Sequence, residues 1–267
     1  MIEHQYHREP TPHIFFPELL PPKVYSELVF PDIRPAPKGR VGRDLYAGEP
    51  GYAELVASPG WRDLHRTFTS AEFVTWILTL FADDLARLGC KVNPSKAVYE
   101  PYIESRDMVQ DVRGAISDRD VNALFTRFDI QVADNDYSRY VHLDRIRRVT
   151  GCLLFCSDYS EEGLIGGEFA LYRDRLFASD RRCLWPKLVK TFPVRHNTGV
   201  IFLNANTAFH GPRRTQALAG FRKWVYYAIS SHQPVWTAQG PSRSRELCFD
   251  AKKAAVAMWE RLRPRIG

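Results

Sequence analysis

The chain of 267 residues is 45% hydrophobic and 25% charged, with a formal net charge of +6. This length and balance are typical of a globular protein with one large domain or two small ones, and no apolar run approaches the roughly 20 residues that a membrane-spanning helix needs. The basic residues are scattered in doublets, such as Arg147-Arg148 and Arg213-Arg214, instead of forming a dense block with interleaved aromatic residues. Composition therefore argues against a membrane protein and against a nucleic-acid-binding protein.

The cysteines and the N-terminus indicate the cellular compartment. The five cysteines form no Cys-x-x-Cys pair, so reduced thiols are a simpler interpretation than a disulfide framework. The first residues lack the basic start and the apolar core of a secretory signal. We therefore expect a cytoplasmic protein, while the sequence does not indicate its oligomeric state.

The N-terminal third predicts an extended arm followed by helices. Residues 1–50 are rich in Pro, which favours an arm that wraps the domain and leaves room for one short helix after Pro22. Residues 52–90 have a helical pattern, in which Thr69-x-x-Glu72 forms a capping box ahead of an apolar stripe. The stripe consists of Phe73, Trp76, Ile77, Leu80, Phe81, Leu85 and Leu88. We expect this helical layer to pack against the face of a sheet.

Beyond Cys90 the apolar pattern changes to the alternation that is typical of strands. Strands are predicted within 96–105, 124–133, 148–158, 166–173, 198–205 and 221–230. Helices followed by many strands predict a single domain over 1–267 of the α+β class that is mainly β. We expect an antiparallel sandwich or jelly roll over 96–232 with the helices packed on one sheet, and a last amphipathic helix over 245–262.

Two irregular segments, 105–120 and 173–190, interrupt the predicted strands. Long loops in compact domains are often functional lids. The charged segment 105–120 could cover a site and bind a polar, zwitterionic small molecule, and 173–190 could assist it. A solvated surface loop is the alternative interpretation.

The triplet His142-Leu-Asp144 is the first candidate for chemistry. At the end of a strand, residues two apart leave the same face, which suits two adjacent metal ligands. The composition gives roughly one His-x-acidic match by chance, and the chain has a second one at His7-Arg8-Glu9. His210 follows another predicted strand and could supply a third ligand. Two His and one carboxylate suit non-heme Fe(II), but a hydrogen-bonded loop His and a surface Asp remain the alternative.

Further motifs follow the triplet in order between residues 130 and 230. They are Leu153-Leu-Phe155, Glu161-Glu162, Gly166-Gly167-Glu-Phe-Ala-Leu-Tyr172, Val200-Ile-Phe202, His210-Gly211 and Arg222. This ordered set resembles the Fe(II)/2-oxoglutarate-dependent oxygenases of the prolyl-4-hydroxylase-like type. The resemblance does not extend to residues 1–95 or to the segment after 235.

The resemblance implies a double-stranded β-helix in which His142, Asp144 and His210 hold Fe(II). It also implies that Arg222 holds the far carboxylate of 2-oxoglutarate, with Arg213 and Arg214 as rivals in a loop. Many members have Ser two residues after this Arg, where the present chain has Trp224. Tyr140 shares the predicted face of His142 and could line the cofactor pocket, although a core Tyr is the alternative.

The reaction that the resemblance implies is hydroxylation of an unactivated C–H bond, with O2 consumed and succinate and CO2 released. Asp144 occupies the position that related halogenases leave free for chloride, which favours hydroxylation; desaturation, epimerisation and cyclisation stay open. We expect a small polar metabolite, such as an amino acid or a natural-product intermediate, with a peptidyl substrate as the alternative. A zinc hydrolase, a cupin-type isomerase or a metal-binding protein without oxygenase activity could use the same triad.

Overall fold

The computed structural model describes residues 4–33, 43–102, 118–134, 137–174, 183, 185–217, 220–237 and eight positions between 247 and 258. These parts of the chain form a large mixed sheet, a three-stranded sheet, a two-stranded ribbon and a layer of short helices. Within them, no helix has the length and apolar character needed to cross a membrane.

The elements have the following bounds. The strands are β1 (Gln5–His7), β2 (His13–Phe16), β3 (Arg43–Leu45), β4 (Val98–Tyr99), β5 (Ala123–Ala133), β6 (Arg148–Phe155), β7 (Leu164–Ile165), β8 (Phe169–Asp174), β9 (Pro186–Phe192), β10 (Gly199–Leu203), β11 (His210–Pro212), β12 (Gln216–Ala217) and β13 (Arg222–Ser231). The helices are α1 (Pro22–Ser26), α2 (Tyr52–Ala57), α3 (Trp61–Phe68), α4 (Ala71–Leu80), α5 (Ala82–Arg87) and α6 (Tyr159–Glu162), with a 3₁₀ turn at Pro94–Lys96.

The large sheet has the order β1-β2-β10-β6-β13-β5-β3, and β4 pairs with β5 in parallel. Its longest pairing joins β13 to β5, from Arg222 opposite Ala133 to Ser231 opposite Leu124. The N-terminal arm is not merely a wrapping segment, because its strand β2 pairs with β10 and extends the sheet. An edge strand has unpaired backbone groups, and β2 satisfies those of β10.

The helices cover one face of the large sheet, as the apolar stripe predicted. Alternate residues of β13, namely Val225, Tyr227 and Ile229, share one buried core with helical residues such as Phe68 and Ile77. Successive side chains of a strand point to opposite faces, so the intervening residues of β13 are left for the other side of the sheet.

The predicted capping box is wrong by one residue. The N-cap of α4 is Ser70, whose hydroxyl oxygen accepts a hydrogen bond from the Phe73 N–H at 3.1 Å. The Thr69 hydroxyl instead donates to the His65 carbonyl at 2.7 Å, at the end of α3. The helical pattern of 52–90 therefore continues across a tight turn between two helices, which the stacked rings of Phe68 and Phe73 bridge.

A second apolar core lies between the large sheet and the three-stranded sheet β11-β8-β9. Its members include Leu153, Phe155 and Phe202 of the large sheet and Phe169 and Leu171 of the small one. The rings of Phe169 and Phe202 lie 5.2 Å apart, so the two sheets are in contact there. The pair Gly166-Gly167 leads into β8 with φ of +76° at both residues, a conformation that favours glycine.

Cys152 and Cys156 are free thiols buried in the core on the helical side of the sheet. Burial raises the pKa of Cys156 to about 12 and that of Cys152 further, so both thiols stay protonated near neutral pH. This confirms the interpretation of the two residues as small core side chains and not as reactive ones.

The predicted lid 105–120 falls almost entirely on residues 103–117, outside the described residues. Residues 175–182 and 184 of the insert 173–190 also lie outside them, while residues 186–190 belong to β9. The eight described positions between 247 and 258, within the predicted last helix, are helical. Leu247 and Met258 of this helix are exposed.

Candidate metal centre

The two predicted histidine ligands are brought together by backbone pairing. His142 precedes β6 and forms an isolated bridge with His210, the first residue of β11. The His142 N–H donates to the His210 carbonyl at 3.0 Å, and the His210 N–H donates to the His142 carbonyl at 2.9 Å. Both imidazoles therefore leave the backbone at one place, 4.5 Å apart between ring centroids.

Asp144 completes a compact triad with the two histidines. The candidate ligand atoms of all three residues lie within 4.8 Å of one another. Asp144 Oδ1 is 3.8 Å from His142 Nε2, and Asp144 Oδ2 is 3.8 Å from His210 Nε2. This is the set of two His and one carboxylate that the sequence predicted to converge.

The hydrogen bonds of the two rings fix which nitrogen is available to a metal. His142 Nδ1 lies 2.7 Å from the Tyr140 carbonyl, and His210 Nδ1 lies 2.8 Å from the Ala208 carbonyl. A carbonyl can only accept, so each Nδ1 has the proton and each Nε2 has a free lone pair. Within the described part of the chain, His142 Nε2 is buried and has no hydrogen-bond partner. An outer carbonyl on Nδ1 is the usual support of a metal-binding His, so the triad fits a divalent metal.

The charges of the triad also suit a divalent cation. Burial, with help from the neighbouring His210, lowers the pKa of His142 to about 3, and burial lowers the pKa of His210 as well. Burial alone would raise the pKa of Asp144, but Arg148 and the two histidines outweigh it and hold that pKa below its usual value. At neutral pH the site therefore has two neutral imidazoles and one carboxylate, the protonation state that binds metal.

Two residues that sequence reasoning missed contact the Asp144 carboxylate. Arg148 Nη1 lies 3.0 Å from Oδ1, and the Tyr226 hydroxyl donates to Oδ2 at 2.9 Å. The Asp144 N–H donates to the side-chain oxygen of Asn204 at 3.2 Å. In the sequence, only Arg148 lies close to Asp144, four residues after it. Nothing in the sequence near Asp144 indicated its contacts with Tyr226 and Asn204.

Arg222 lies on the wall of the same cavity, with 2% of its surface exposed. Its guanidinium carbon lies 4.0 Å from the ring centroid of Trp224 and 5.5 Å from that of Phe155. Burial lowers the pKa of Arg222 to about 10, so the group is still charged at neutral pH. Among the described residues, neither Arg222 Nε nor the buried Thr215 hydroxyl has a hydrogen-bond partner. A buried cation with an unused donor beside an unused hydroxyl is suited to an anionic ligand, above all a carboxylate.

Gly167 brings the backbone close to this pocket. A Cβ atom at Gly167 would lie 2.8 Å from Thr215 Oγ1 and 3.2 Å from Arg222 Cδ. The glycine therefore gives room to the two groups that a carboxylate would contact.

Charged residues of both signs line the remainder of the cavity, whose volume is about 240 Å³. Arg127 and the buried Asp129 of β5 form an ion pair at 2.8 Å, and Asp44, Arg139 and Arg145 also line the wall. Burial raises the pKa of Asp129 to about 6, although Arg127 opposes this rise. The triad, Arg222 and this charged wall thus belong to one cavity.

Tyr140 is not placed as the sequence predicted. Its side chain is 69% exposed, and its contribution to the site is the backbone carbonyl that holds His142 Nδ1. Tyr137 lines the cavity instead, with its ring centroid 5.8 Å from the guanidinium carbon of Arg222. The segment before His142 is irregular, so the alternation expected of a strand does not hold there.

Neither rival of Arg222 is among the described residues that line the cavity. Arg213 is half-exposed and lies 4.0 Å from the Glu168 carboxylate. The second His-x-acidic match of the sequence, His7-Arg8-Glu9, has other contacts. The Glu9 carboxylate pairs with Arg173, and the His7 ring stacks on that of His13.

No protein-family model and no curated protein matches the sequence. Solved structures do resemble the fold. One is a prolyl 4-hydroxylase from Phytophthora capsici, with 13% identity and a TM-score of 0.38, which covers 80% of this chain and 57% of that one. Another is a prolyl-4-hydroxylase from Pseudomonas putida, with 12% identity and a TM-score of 0.41. The match covers 82% of this chain and 92% of that one. A third is a viral collagen prolyl hydroxylase from Paramecium Bursaria Chlorella virus-1 in complex with 2OG, with 11% identity and a TM-score of 0.32. The match covers 72% of this chain and 80% of that one. At these values the likenesses assign neither a family nor an activity to this chain.

Proposed function

We propose that the protein is a non-heme Fe(II)- and 2-oxoglutarate-dependent dioxygenase that hydroxylates an unactivated C–H bond of a small polar metabolite. One observation supports this proposal above all: a single cavity joins a two-His-one-Asp triad to a buried, charged Arg222 whose Nε has no partner among the described residues. A zinc hydrolase or a cupin-type isomerase needs the triad but has no need of the buried guanidinium.

Each residue has a distinct part in this function. His142, Asp144 and His210 would hold Fe(II) and leave coordination positions open for the keto acid and O2. When bound, the iron supplies the activation of O2 that is coupled to the conversion of 2-oxoglutarate to succinate and CO2. Arg222 would bind the far carboxylate through its fork of N–H donors, with the Thr215 hydroxyl beside it. The rings of Trp224 and Phe155 exclude water from this ion pair, which strengthens it.

The fold that suits this function is a double-stranded β-helix. Such a fold encloses its site between two facing sheets, and the apolar core that the large sheet shares with β11-β8-β9 supports this proposal. Asp144 favours hydroxylation, because its carboxylate fills the position that a halogenase leaves free for chloride.

The charged wall supports a small polar substrate with both positive and negative groups. Asp44 and Asp129 can accept hydrogen bonds from a cationic group, and Arg139 can donate to an anionic one. A cavity of about 240 Å³ has room for the end of a 2-oxoglutarate molecule and a compact substrate, and its lining is more polar than that of a site for an apolar ligand.

This proposal predicts that zwitterionic small molecules stimulate succinate release. Protein supplied with Fe(II), 2-oxoglutarate and O2 would be incubated with fractionated metabolites, with amino acids and with short peptides. We expect fractions of small zwitterions to raise the rate of succinate formation, and His210→Ala protein to show no such rise with any fraction. Stimulation by peptides alone would replace the metabolite with a peptidyl substrate, and succinate release that is equal with and without every fraction would contradict the proposed substrate class.

A further inference from the structure

The Asp144 carboxylate belongs to a closed ring of one ion pair and two hydrogen bonds with two other side chains. Arg148 Nη1 contacts Asp144 Oδ1 at 3.0 Å and also donates to the Tyr226 hydroxyl oxygen at 2.9 Å. The Tyr226 O–H in turn donates to Asp144 Oδ2 at 2.9 Å. Every donor and acceptor in this ring has a consistent role, because the hydroxyl donates once and accepts once.

Two of the three members of the ring come from neighbouring strands and are packed together, while Asp144 lies in the irregular segment before β6. Arg148 begins β6 and Tyr226 lies in β13, and these two strands pair in the large sheet. The guanidinium carbon of Arg148 lies 5.3 Å from the centroid of the Tyr226 ring. The side chains of Arg148 and Asp144 are only 11% and 4% exposed, so water competes little for these bonds.

The ring leaves the carboxylate able to bind a metal. An ionised carboxylate has about four lone-pair sites, so each oxygen can accept one protein donor and still offer a lone pair. The two oxygens face different histidines, each at 3.8 Å from an Nε2 atom. Without donors from two sides, the carboxylate could rotate about its bond to Cβ and turn away from the histidines.

We infer that Tyr226 and Arg148 are positioning residues that fix the Asp144 carboxylate towards the metal. The inference rests on the proposed metal centre but not on the reaction or the substrate. Neither residue contacts the metal itself; both act through Asp144. Loss of such outer partners typically reduces metal affinity by about 10- to 100-fold.

Strand β13 offers a matched control, because Tyr227 is the next residue and faces the helical layer instead of the cavity. Within the described residues, its buried hydroxyl has no hydrogen-bond partner. Tyr226→Phe and Tyr227→Phe therefore remove the same oxygen atom from adjacent positions, and only the first removes a contact to Asp144.

Binding of Co(II) to the metal-free protein, without 2-oxoglutarate or substrate, tests the inference. Affinity would be measured by titration calorimetry, and the geometry of the site by the visible d–d absorption of bound Co(II). We expect Tyr226→Phe to weaken Co(II) binding by about tenfold or more and to change the d–d spectrum. Tyr227→Phe is expected to keep both the affinity and the spectrum of the wild type.

The outcomes separate this inference from the proposed function. If wild type and Tyr226→Phe bind Co(II) with equal affinity and the same spectrum, the positioning role is refuted and the metal centre stands. If the wild type itself binds no Co(II), the metal centre and the positioning role both fall. Should Tyr226→Phe fail to fold, Arg148→Lys provides the same test, because the shorter Lys side chain keeps the charge but does not reach the position of Nη1, the atom that contacts both partners. Wild-type affinity in Arg148→Lys would then overturn the inference.

Discussion

Replacing His210 with Ala is expected to abolish metal binding at the triad and, with it, the formation of succinate from 2-oxoglutarate. His210 is 5% exposed, and its ring is packed at 4.7 Å against that of Phe202, so no other side chain can take its place without rearrangement. The loss should exceed the about 10- to 100-fold that removal of an outer partner costs, because a ligand itself is removed. Titration of the metal-free protein with Co(II), and succinate release in the presence of Fe(II), would measure the two effects.

A histidine outside the triad gives the control for this substitution. His196 lies at the surface, where its ring nitrogens contact Tyr25 and Glu161, and His196→Ala should leave metal binding unchanged. If His210→Ala binds Co(II) as tightly as the wild type, the metal is held elsewhere and the triad is wrongly assigned.

Replacing Arg222 with Met is expected to weaken 2-oxoglutarate binding strongly while it leaves metal binding nearly intact. Met retains much of the volume that packs against Trp224 but removes the buried charge. Loss of one partner of a buried, hydrogen-bonded charge pair costs about 2 to 5 kcal/mol, which corresponds to a rise in Kd of roughly 30-fold or more. Calorimetric titration of the metal-loaded protein with 2-oxoglutarate would give this Kd. Titration of the metal-free protein with metal alone would give the Kd for the metal.

Two sets of controls test whether Arg222 is the carboxylate-binding residue. Arg213→Met and Arg214→Met should leave the Kd for 2-oxoglutarate unchanged; a rise in both, with none in Arg222→Met, would move the carboxylate site to that loop.

Gly167→Ala should also weaken 2-oxoglutarate binding, because its Cβ would crowd Thr215 and Arg222. Gly89→Ala has a similar positive φ with nothing within 4 Å of its Cβ, so it imposes the backbone strain without the clash.

The sequence was sufficient to predict that His142, Asp144 and His210 lie together and that Arg222 lies near them, because these residues belong to motifs whose order and spacing can be read along the chain. His142 and His210 are 68 positions apart in the chain yet pair directly through their backbones. Only the ordered set of motifs, and not the local pattern, indicated that they meet. Alternation along a strand was the argument for Asp144, and its carboxylate does lie beside the two imidazoles although its segment is irregular.

The same argument was wrong for Tyr140, because irregular backbone does not alternate side chains between two faces. The alternation of side chains also could not predict the contact between Tyr226 and Asp144. A residue of β13 meets Asp144 only through the register of β13 against β6. Register depends on the packing of whole strands and is not encoded near either residue. For the same reason the sequence did not show that β2 of the N-terminal arm would extend the large sheet at β10.

The most direct test of the proposed chemistry is the anaerobic addition of Fe(II) and 2-oxoglutarate to the metal-free wild-type protein. A keto acid that chelates Fe(II) in such a site gives a visible charge-transfer band, which neither component gives with the protein alone. We expect this band to develop with saturation in 2-oxoglutarate, to be absent in His210→Ala, and to require much higher 2-oxoglutarate in Arg222→Met. Folded wild-type protein that binds Fe(II) but develops no band at any 2-oxoglutarate concentration would contradict the proposal that this cavity is a 2-oxoglutarate-dependent iron site.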